Sequence, residues 1–519
     1  MTRYFLFFAL LSCWAACSFE PQGPPLPDDG TSRYFQPERA PFYHGVASGD
    51  PTSDRVVIWT RVTPTHMHRV RVKWWVARDA EMKQVVRKGT VETDSLRDFT
   101  VKVDVDGLEP DTRYFYRFEA LGGQSPVGRT RTLPTGDARE LKLAVVSCSN
   151  FEAGYFNAFA RIADRSDLHA VLHLGDYFYE YGPGTYGDTS LGRLHLPPKE
   201  ILTLQDYRTR YAQYRLDPDF QRAHQMHPFI TIWDDHEIAN NSFVEGAQNH
   251  QPATEGDYQA RKAVARQAYF EWLPVRESSG GKLYRKFSAG RLADLLMLDE
   301  RLEGRSAPAD SVSDPRLHDP NRSMLGQAQL QWLLENLRSS TATWKLIGNQ
   351  VIFSNVDRSK IFPDNPINLD AWDGYPVEQE KIKRFIQENG IRNVVFLTGD
   401  THCSWAFEVP RSLEDYRKDP LGSVVALEFG TPSISSSNYD ESTPMDTVLL
   451  AQDLYRQSNP HLKFINLHDH GYLLLTLTPT DLLAEWYYVD TVKKPSDKEF
   501  LGGRVRARAG AGRVLEVEQ

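Results

Sequence analysis

Four short stretches of this 519-residue chain carry side chains able to bind metal, and each follows an apolar run. Gly399-Asp400-Thr401-His402-Cys403-Ser404 comes after Asn393-Val394-Val395-Phe396-Leu397. Asp400 and His402, two apart, can bring an oxygen and a nitrogen donor to one side of an extended or tightly turned segment. Ser147-Cys148-Ser149-Asn150 follows residues 141–146, and Gly175-Asp176-Tyr177-Phe178-Tyr179 follows residues 170–174. Asp234-Asp235-His236-Glu237, with Asn240 and Asn241 just beyond, follows residues 229–233. Carboxylates suit hard cations, whereas Cys148 and Tyr179 as anionic donors suit a more polarising ion such as ferric iron. Singly, each motif has a plainer reading: Asp400 as a helix cap, His402 as a core residue, Cys148 as an inert buried thiol. Four of them at the ends of predicted strands point instead to one polynuclear metal site.

Donors so placed need a sheet whose strands end at a common edge, where α/β proteins build their sites. The strands alternate with helical stretches at 155–164, 204–214, 258–272, 325–337 and 376–389, which predicts an α/β domain over 138–490. Late runs at 472–477 and 483–489 read as neighbouring strands. Upstream, half-buried strand patterns at 56–62, 70–76 and 99–105 precede Leu108-Glu109-Pro110-Asp111-Thr112-Arg113-Tyr114. They predict an Ig- or fibronectin-III-like β-sandwich over 41–135, with Tyr114 as a tyrosine corner. Residues 18–40, rich in Pro, Gly and Asp, read as a flexible linker, and 491–519 as a C-terminal tail or a short covering element.

A formal charge of −9 argues against nucleic acid held by bulk attraction, and leaves room for a small phosphorylated substrate held by local metals. Residues 1–17 combine Arg3 with the apolar run from Tyr4 to Leu11, a secretory signal too short to span a membrane. Trp14-Ala15-Ala16-Cys17 resembles a loose lipobox, so a lipid-anchored product is expected; Cys13 and plain cleavage near Ala16 are the alternatives. The expected location is secreted, periplasmic or on the cell surface as a lipoprotein. Cys148 and Cys403 alone remain inside the mature chain, so no disulfide framework is expected. A monomer is expected.

The chain resembles the PhoD-type alkaline phosphatases, of the calcineurin-like metallophosphatase superfamily. The resemblance rests on Ser147-Cys148-Ser149-Asn150, Gly175-Asp176-Tyr177-Phe178-Tyr179-Glu180 and Tyr207-Arg208-Thr209-Arg210-Tyr211. It continues through Trp233-Asp234-Asp235-His236-Glu237, Leu298-Asp299-Glu300-Arg301 and Gly399-Asp400-Thr401-His402-Cys403. It implies a metallophosphatase-like β-sandwich flanked by helices, holding Fe3+ and Ca2+, with other divalent metals as alternatives. Cys148, Asp176, Tyr179, Asp400 and His402 match metal positions. Cys148 and Tyr179 would be ferric ligands, Asp176 the bridge, and Asp235 a ligand of the second metal. His236 would stabilise the transition state or protonate the leaving oxygen. Arg301 would clamp a phosphate oxygen or pair with Asp299 or Glu303. Asn150, Asp234 and Asn240 are weaker candidates, divided between the site and local capping; Arg208, Arg210 and Cys403 read as scaffold. The implied activity is hydrolysis of phosphate mono- or diesters, a metal-held hydroxide attacking phosphorus in line. The alternatives are a phospholipid or wall-polymer phosphodiesterase on the same scaffold and a non-catalytic surface binding protein.

Overall fold

The computed structural model describes residues 24–278, 280–420 and 422–518. The expected signal segment, with Cys13 and Cys17, lies outside the described residues. The body is built on two large sheets. In the first, Leu141–Val146, Ala170–His173 and Pro228–Thr231 run parallel as neighbours. Each is buried along nearly its whole length, as strands covered on both faces require, and so reads as a continuous apolar run. Gly471–Leu477 and Asp481–Val489 continue this sheet in antiparallel fashion. In the second sheet Ala293–Met297, Trp344–Gly348, Val394–Thr398 and Val424–Gly430 run parallel.

Alternation along the second sheet divides the interior into layers. Leu295, Met297, Leu346, Val395 and Leu397 share a core with Leu143, Val145, Leu172 and Leu475 of the first sheet. Their chain neighbours Leu296, Ile347, Val394 and Phe396 face another core. Helices Gly326–Ser339, Pro376–Glu388 and Met445–Ser458 close it with Leu333, Ile386 and Val448. Helices Asn157–Asp164, Leu204–Arg215, Pro218–Met226 and Tyr258–Trp272 pack on the first sheet through Phe159, Tyr211, Phe220 and Tyr269. The architecture is α/β with mixed sheets. The carboxyl ends of the two sheets meet at a bridge between Ser147 and Ser433. Gly399 permits that approach: a Cβ there would lie 2.9 Å from the Ser147 side chain.

The N-terminal strands are less separate than their sequence pattern implies. Val85–Thr93, Val70–Ala77, Arg113–Ala120 and Gly128–Arg131 form a small sheet of their own. The strands packed against it belong to the first large sheet. Thr100–Val105 pairs with Val56–Arg61, which pairs with Val46–Gly49, and that strand runs parallel to Pro228–Thr231. Val46, Ile58, Val72, Val101, Tyr116 and Phe118 fill the core between them. The Tyr114 hydroxyl accepts the backbone N–H of Glu109 at 2.8 Å, tying the start of its strand to the preceding turn.

Both chain ends depart from the expected linker and tail. From residue 24 onward the linker lies against the body: Phe35 stacks on Tyr43 at 4.0 Å and Tyr34 meets Phe151 edge-on. These rings gain burial that a free tether would forgo. Glu499–Arg508 and Val514–Glu518 are strands that extend the first sheet beyond Asp481–Val489. Among the described residues, no helix is long and apolar enough to cross a membrane.

Candidate metal centre

The four motifs meet where the two sheets end. Cys148, Asp176, Asp400 and His402 share a property invisible in sequence: each has left-handed backbone, with φ of 60°, 54°, 62° and 63°. That conformation is uncommon for residues other than glycine, costs about 1–3 kcal/mol each, and clusters at functional sites. Each sits at or just after a strand end, where a sharp reversal aims the side chain across the sheet edge. Glycine makes two of the reversals possible. Gly175 has φ +107°, and a Cβ on it would lie 2.4 Å from the backbone nitrogen of Asp234. Gly399 precedes Asp400 at the close sheet approach described above.

Asp176 is the hub. Its Oδ2 lies 3.5 Å from Cys148 Sγ and 3.2 Å from the Tyr179 hydroxyl, which is itself 3.2 Å from His402 Nε2. Donor atoms of Cys148, Asp176 and His402 lie within 4.8 Å of one another, as do those of Asp176, Asp235 and His236, and those of Asp234, Asp235 and Asp400. Asp176 is common to the first two groups and Asp235 to the last two. His402 Nδ1 lies 2.7 Å from the Ser437 carbonyl, which can only accept, so Nδ1 carries the proton and Nε2 presents a lone pair.

The donor set fits cations. Asp176 Oδ1, Asp234 Oδ2 and Asp235 Oδ1 are buried without a hydrogen-bond partner, although buried carboxylate oxygens ordinarily have one. Burial pushes the Asp176 carboxyl well up, with Asp235, Asp234 and Glu237 adding to it against His236. Burial raises Asp234 to about 8 and Asp400 to about 7, in both cases against the pull of Arg301. Burial also raises the Cys148 thiol and the Tyr179 phenol, and the Asp176 charge raises both further. At Asp235 burial acts upward, but Arg301 and His236 outweigh it and hold the carboxyl down at about 2. Burial lowers His402 to about 4, so its imidazole is neutral and ligand-competent. Acids crowded out of water in this way become anions readily only beside concentrated positive charge.

Other residues hold this geometry, several of them without a sequence signal. Glu180 Oε2 lies 2.6 Å from His236 Nδ1, and its Oε1 accepts the Asn240 N–H and the Asn249 amide. His236 thereby keeps Nε2 free to face the site. Burial lowers His236, but Asp235, Glu180 and Asp176 outweigh it and push the imidazole well above its usual range. Glu237 accepts the backbone N–H groups of Asp176, Tyr177 and Asp234, stapling two candidate ligand loops together. Arg210 donates to the carbonyls of Tyr179, Tyr181 and Leu196, which fixes the Tyr179 loop, and Arg208 grips Glu271 with two bonds of 2.7 Å. Ser436 Oγ stands 2.6 Å from the Tyr179 hydroxyl and 2.9 Å from the Cys148 carbonyl.

Arg301 does not make the side-chain pair with Asp299 or Glu303 offered as one of its two expected arrangements. Fully buried, it donates Nε to Asp234, Nη1 to Asp370 at 2.7 Å and Nη2 to Asp400 at 3.1 Å, with Asp235 3.7 Å away. Asp299 accepts only its backbone N–H, and Glu303 pairs with Lys282. Each guanidinium nitrogen serves a carboxylate, which takes up three of its five N–H donors. Asp370 also takes Arg305, and nothing in its sequence surroundings marked it. Asn150 bonds the Tyr186 carbonyl and caps the turn at Glu152, and Asn240 pairs with Gln248, so both shape loops. Tyr179, Tyr181 and Tyr186 line one wall, their rings 4.3, 5.6 and 6.3 Å from the His236 ring. Cys403 is buried among the core aromatics.

The sequence profile of the PhoD-like phosphatases matches residues 143–486, and that of the family's N-terminal domain matches residues 30–134. The chain belongs to the PhoD-like phosphatase family. Alkaline phosphatase D of Bacillus subtilis (strain 168) is 38% identical over 482 residues, covering 88% of this chain and 79% of that protein. A solved structure described as the structure of PhoD superposes with a TM-score of 0.83 at 35% identity, covering 93% of each chain. Family membership makes the chain an alkaline phosphatase D-like enzyme and the strand-end cluster its candidate metal centre.

Proposed function

We propose that this phosphatase hydrolyses phosphate mono- or diesters outside the cytoplasm with a bound pair of metals, Fe3+ and Ca2+. The observation that carries this reading is the sharing of Asp176 between two donor groups. Cys148, Tyr179, Asp176 and His402 would hold the iron, their thiolate, phenolate and imidazole suiting a polarising ion. Asp176, Asp235 and Asp400 would hold the calcium, whose preference is for oxygen. Bound there, the pair supplies a water acidified toward neutral pH and positive charge opposite the phosphoryl oxygens. The remaining roles belong to the chain itself. His236, oriented by Glu180, holds a proton at Nε2 for the departing alkoxide. Arg301 keeps Asp234, Asp370 and Asp400 in register. The tyrosine wall shields one side from solvent.

The N-terminal strands form an Ig-like sandwich, and the catalytic sheets a metallophosphatase-type one. The segment before residue 18 directs export, with Cys17 as the residue for a lipid anchor. The deciding experiment is elemental analysis of native protein beside mono- and diester assays, with and without a calcium chelator. Iron and calcium in the protein, and turnover that falls with chelation, are expected. A protein that binds neither metal and cleaves neither ester would refute the reading.

A further inference from the structure

Among the described residues four arginines are fully buried, and three of them have their charge or their nitrogens met. Arg301 and Arg305 have carboxylates, and Arg210 has three backbone carbonyls. Arg215 does not. It ends the helix Leu204–Arg215, and its Nη2 makes only two long bonds, 3.4 Å to the His44 carbonyl and 3.3 Å to that of Val46. Nε and Nη1 are buried without a partner, and among the described residues no carboxylate pairs with it. The helix C-terminus and the Trp59 ring, 4.8 Å away, offer only partial negative charge.

Its surroundings are neutral and rich in donors. Ser48 Oγ, the Tyr116 hydroxyl, both nitrogens of His44 and Nδ1 of His224 are likewise buried and unpartnered. Tyr116 lies beside Ser48, and the Arg215 charge acts on Tyr116, His44, His224 and Tyr177. Burial holds His44 and His224 well below the usual imidazole range, so neither adds charge. The Tyr177 hydroxyl lies against the guanidinium but is engaged with His224 Nε2 at 2.9 Å. Nearby Glu237 is committed to three backbone N–H groups. An unpaired cation buried in this way costs several kcal/mol, and unmet donors add to it.

We propose that Arg215, with Ser48 and Tyr116, forms a buried site for a small monovalent anion of the halide class. A halide accepts several N–H and O–H donors at once and cancels the charge. A water would leave the charge standing and would need acceptors for its own protons. The site lies where the strand Val46–Gly49 meets the catalytic body, so the anion would tie the two together. It adjoins Tyr177, next in the chain to the metal-site Asp176.

The test compares unfolding of the metal-loaded full chain in chloride, bromide and gluconate at equal ionic strength. The midpoint is expected to rise with halide and saturate; at a hundredfold excess over the dissociation constant the folded-to-unfolded ratio is about a hundredfold larger. Arg215→Met should abolish the dependence. Because that variant removes a buried group, the independent readout is crystals grown in bromide, with an anomalous peak expected within hydrogen-bond distance of Arg215 Nε or Nη1. Equal midpoints in halide and gluconate, an unchanged dependence in folded Arg215→Met, or no bromide at Arg215 would each overturn the site.

Discussion

Asp176 stands out among the residues because two donor groups depend on it and its Oδ1 has no protein partner. Asp176→Ala removes the shared oxygen and leaves the strand before it intact. Metal charge is worth several kcal/mol to the transition state, so turnover should fall about a thousandfold or more. Circular dichroism should be unchanged; near-normal turnover in a folded variant would refute the bridging role. Glu180 acts one step further out. Glu180→Gln keeps an oxygen for His236 Nδ1 but removes the charge that orients the ring, and kcat should fall roughly 10- to 100-fold with KM little changed. A rise in KM at constant kcat would place Glu180 in substrate binding instead. At this scale the sequence displayed residue types and hid partners. The ligand motifs stand out because each follows an apolar run, whereas Asp370 and Ser436 arrive from loops hundreds of residues away from Asp176 or Cys148. The four left-handed candidate ligand positions, none of them glycine, have no sequence signature at all.

Among the elements, the strands and helices with strong internal patterning were legible. The expected helices at 204–214 and 258–272 appear as Leu204–Arg215 and Tyr258–Trp272, and the run at 141–146 as Leu141–Val146. Local chemistry reinforces them: Thr203 and Asp206 form a reciprocal capping box, and Asp257 caps the second helix. Glu499–Arg508 was harder to read. Its Gly502-Gly503 pair and closely spaced arginines resemble a loop, and pairing with Asp481–Val489 supplies what its own sequence lacks. The turns between elements carry the site, which makes glycine substitution a sharp test. Gly175→Ala would force a Cβ within 2.4 Å of the Asp234 backbone at φ +107°. Gly122→Ala meets no atom within 4 Å at φ +79°. Strain alone costs about 1 kcal/mol or slightly more, and backbone displacement adds about 1–3 kcal/mol. Gly175→Ala should therefore lower the thermal midpoint clearly more than Gly122→Ala, and should also weaken metal retention. Equal midpoints for the two would show that the ligand loop tolerates the shift.

The whole molecule is tied together by a connection that local sequence cannot show. Residues 41–135 carry the turn spacing and strand patterning of a self-contained domain, yet Val46–Gly49 is hydrogen-bonded between Val56–Arg61 and the catalytic strand Pro228–Thr231. The approach is close: a Cβ on Gly49 would lie 2.4 Å from the Pro274 carbonyl oxygen. Side chains lock the seam. Trp59 donates to the Glu271 carbonyl, Arg276 grips Asp104, and Arg285 grips the buried Asp50. Removing residues 24–137 would open the edge of Pro228–Thr231 and leave unmet ladder groups, each worth about 1 kcal/mol or more when buried. It would also uncover Tyr211 and Trp272, which pack in the core that includes Trp59. A chain of residues 138–519 is therefore expected to be insoluble, or to bind far less metal than the full protein, measured by elemental analysis after identical purification. Metal content and turnover equal to the full chain would show that the strand pairing decorates the catalytic body and does not support it. The expected failure has a structural route to the chemistry. Pro228–Thr231 runs directly toward Asp234, Asp235 and His236, so fraying at this edge would reach the metal centre within a few residues.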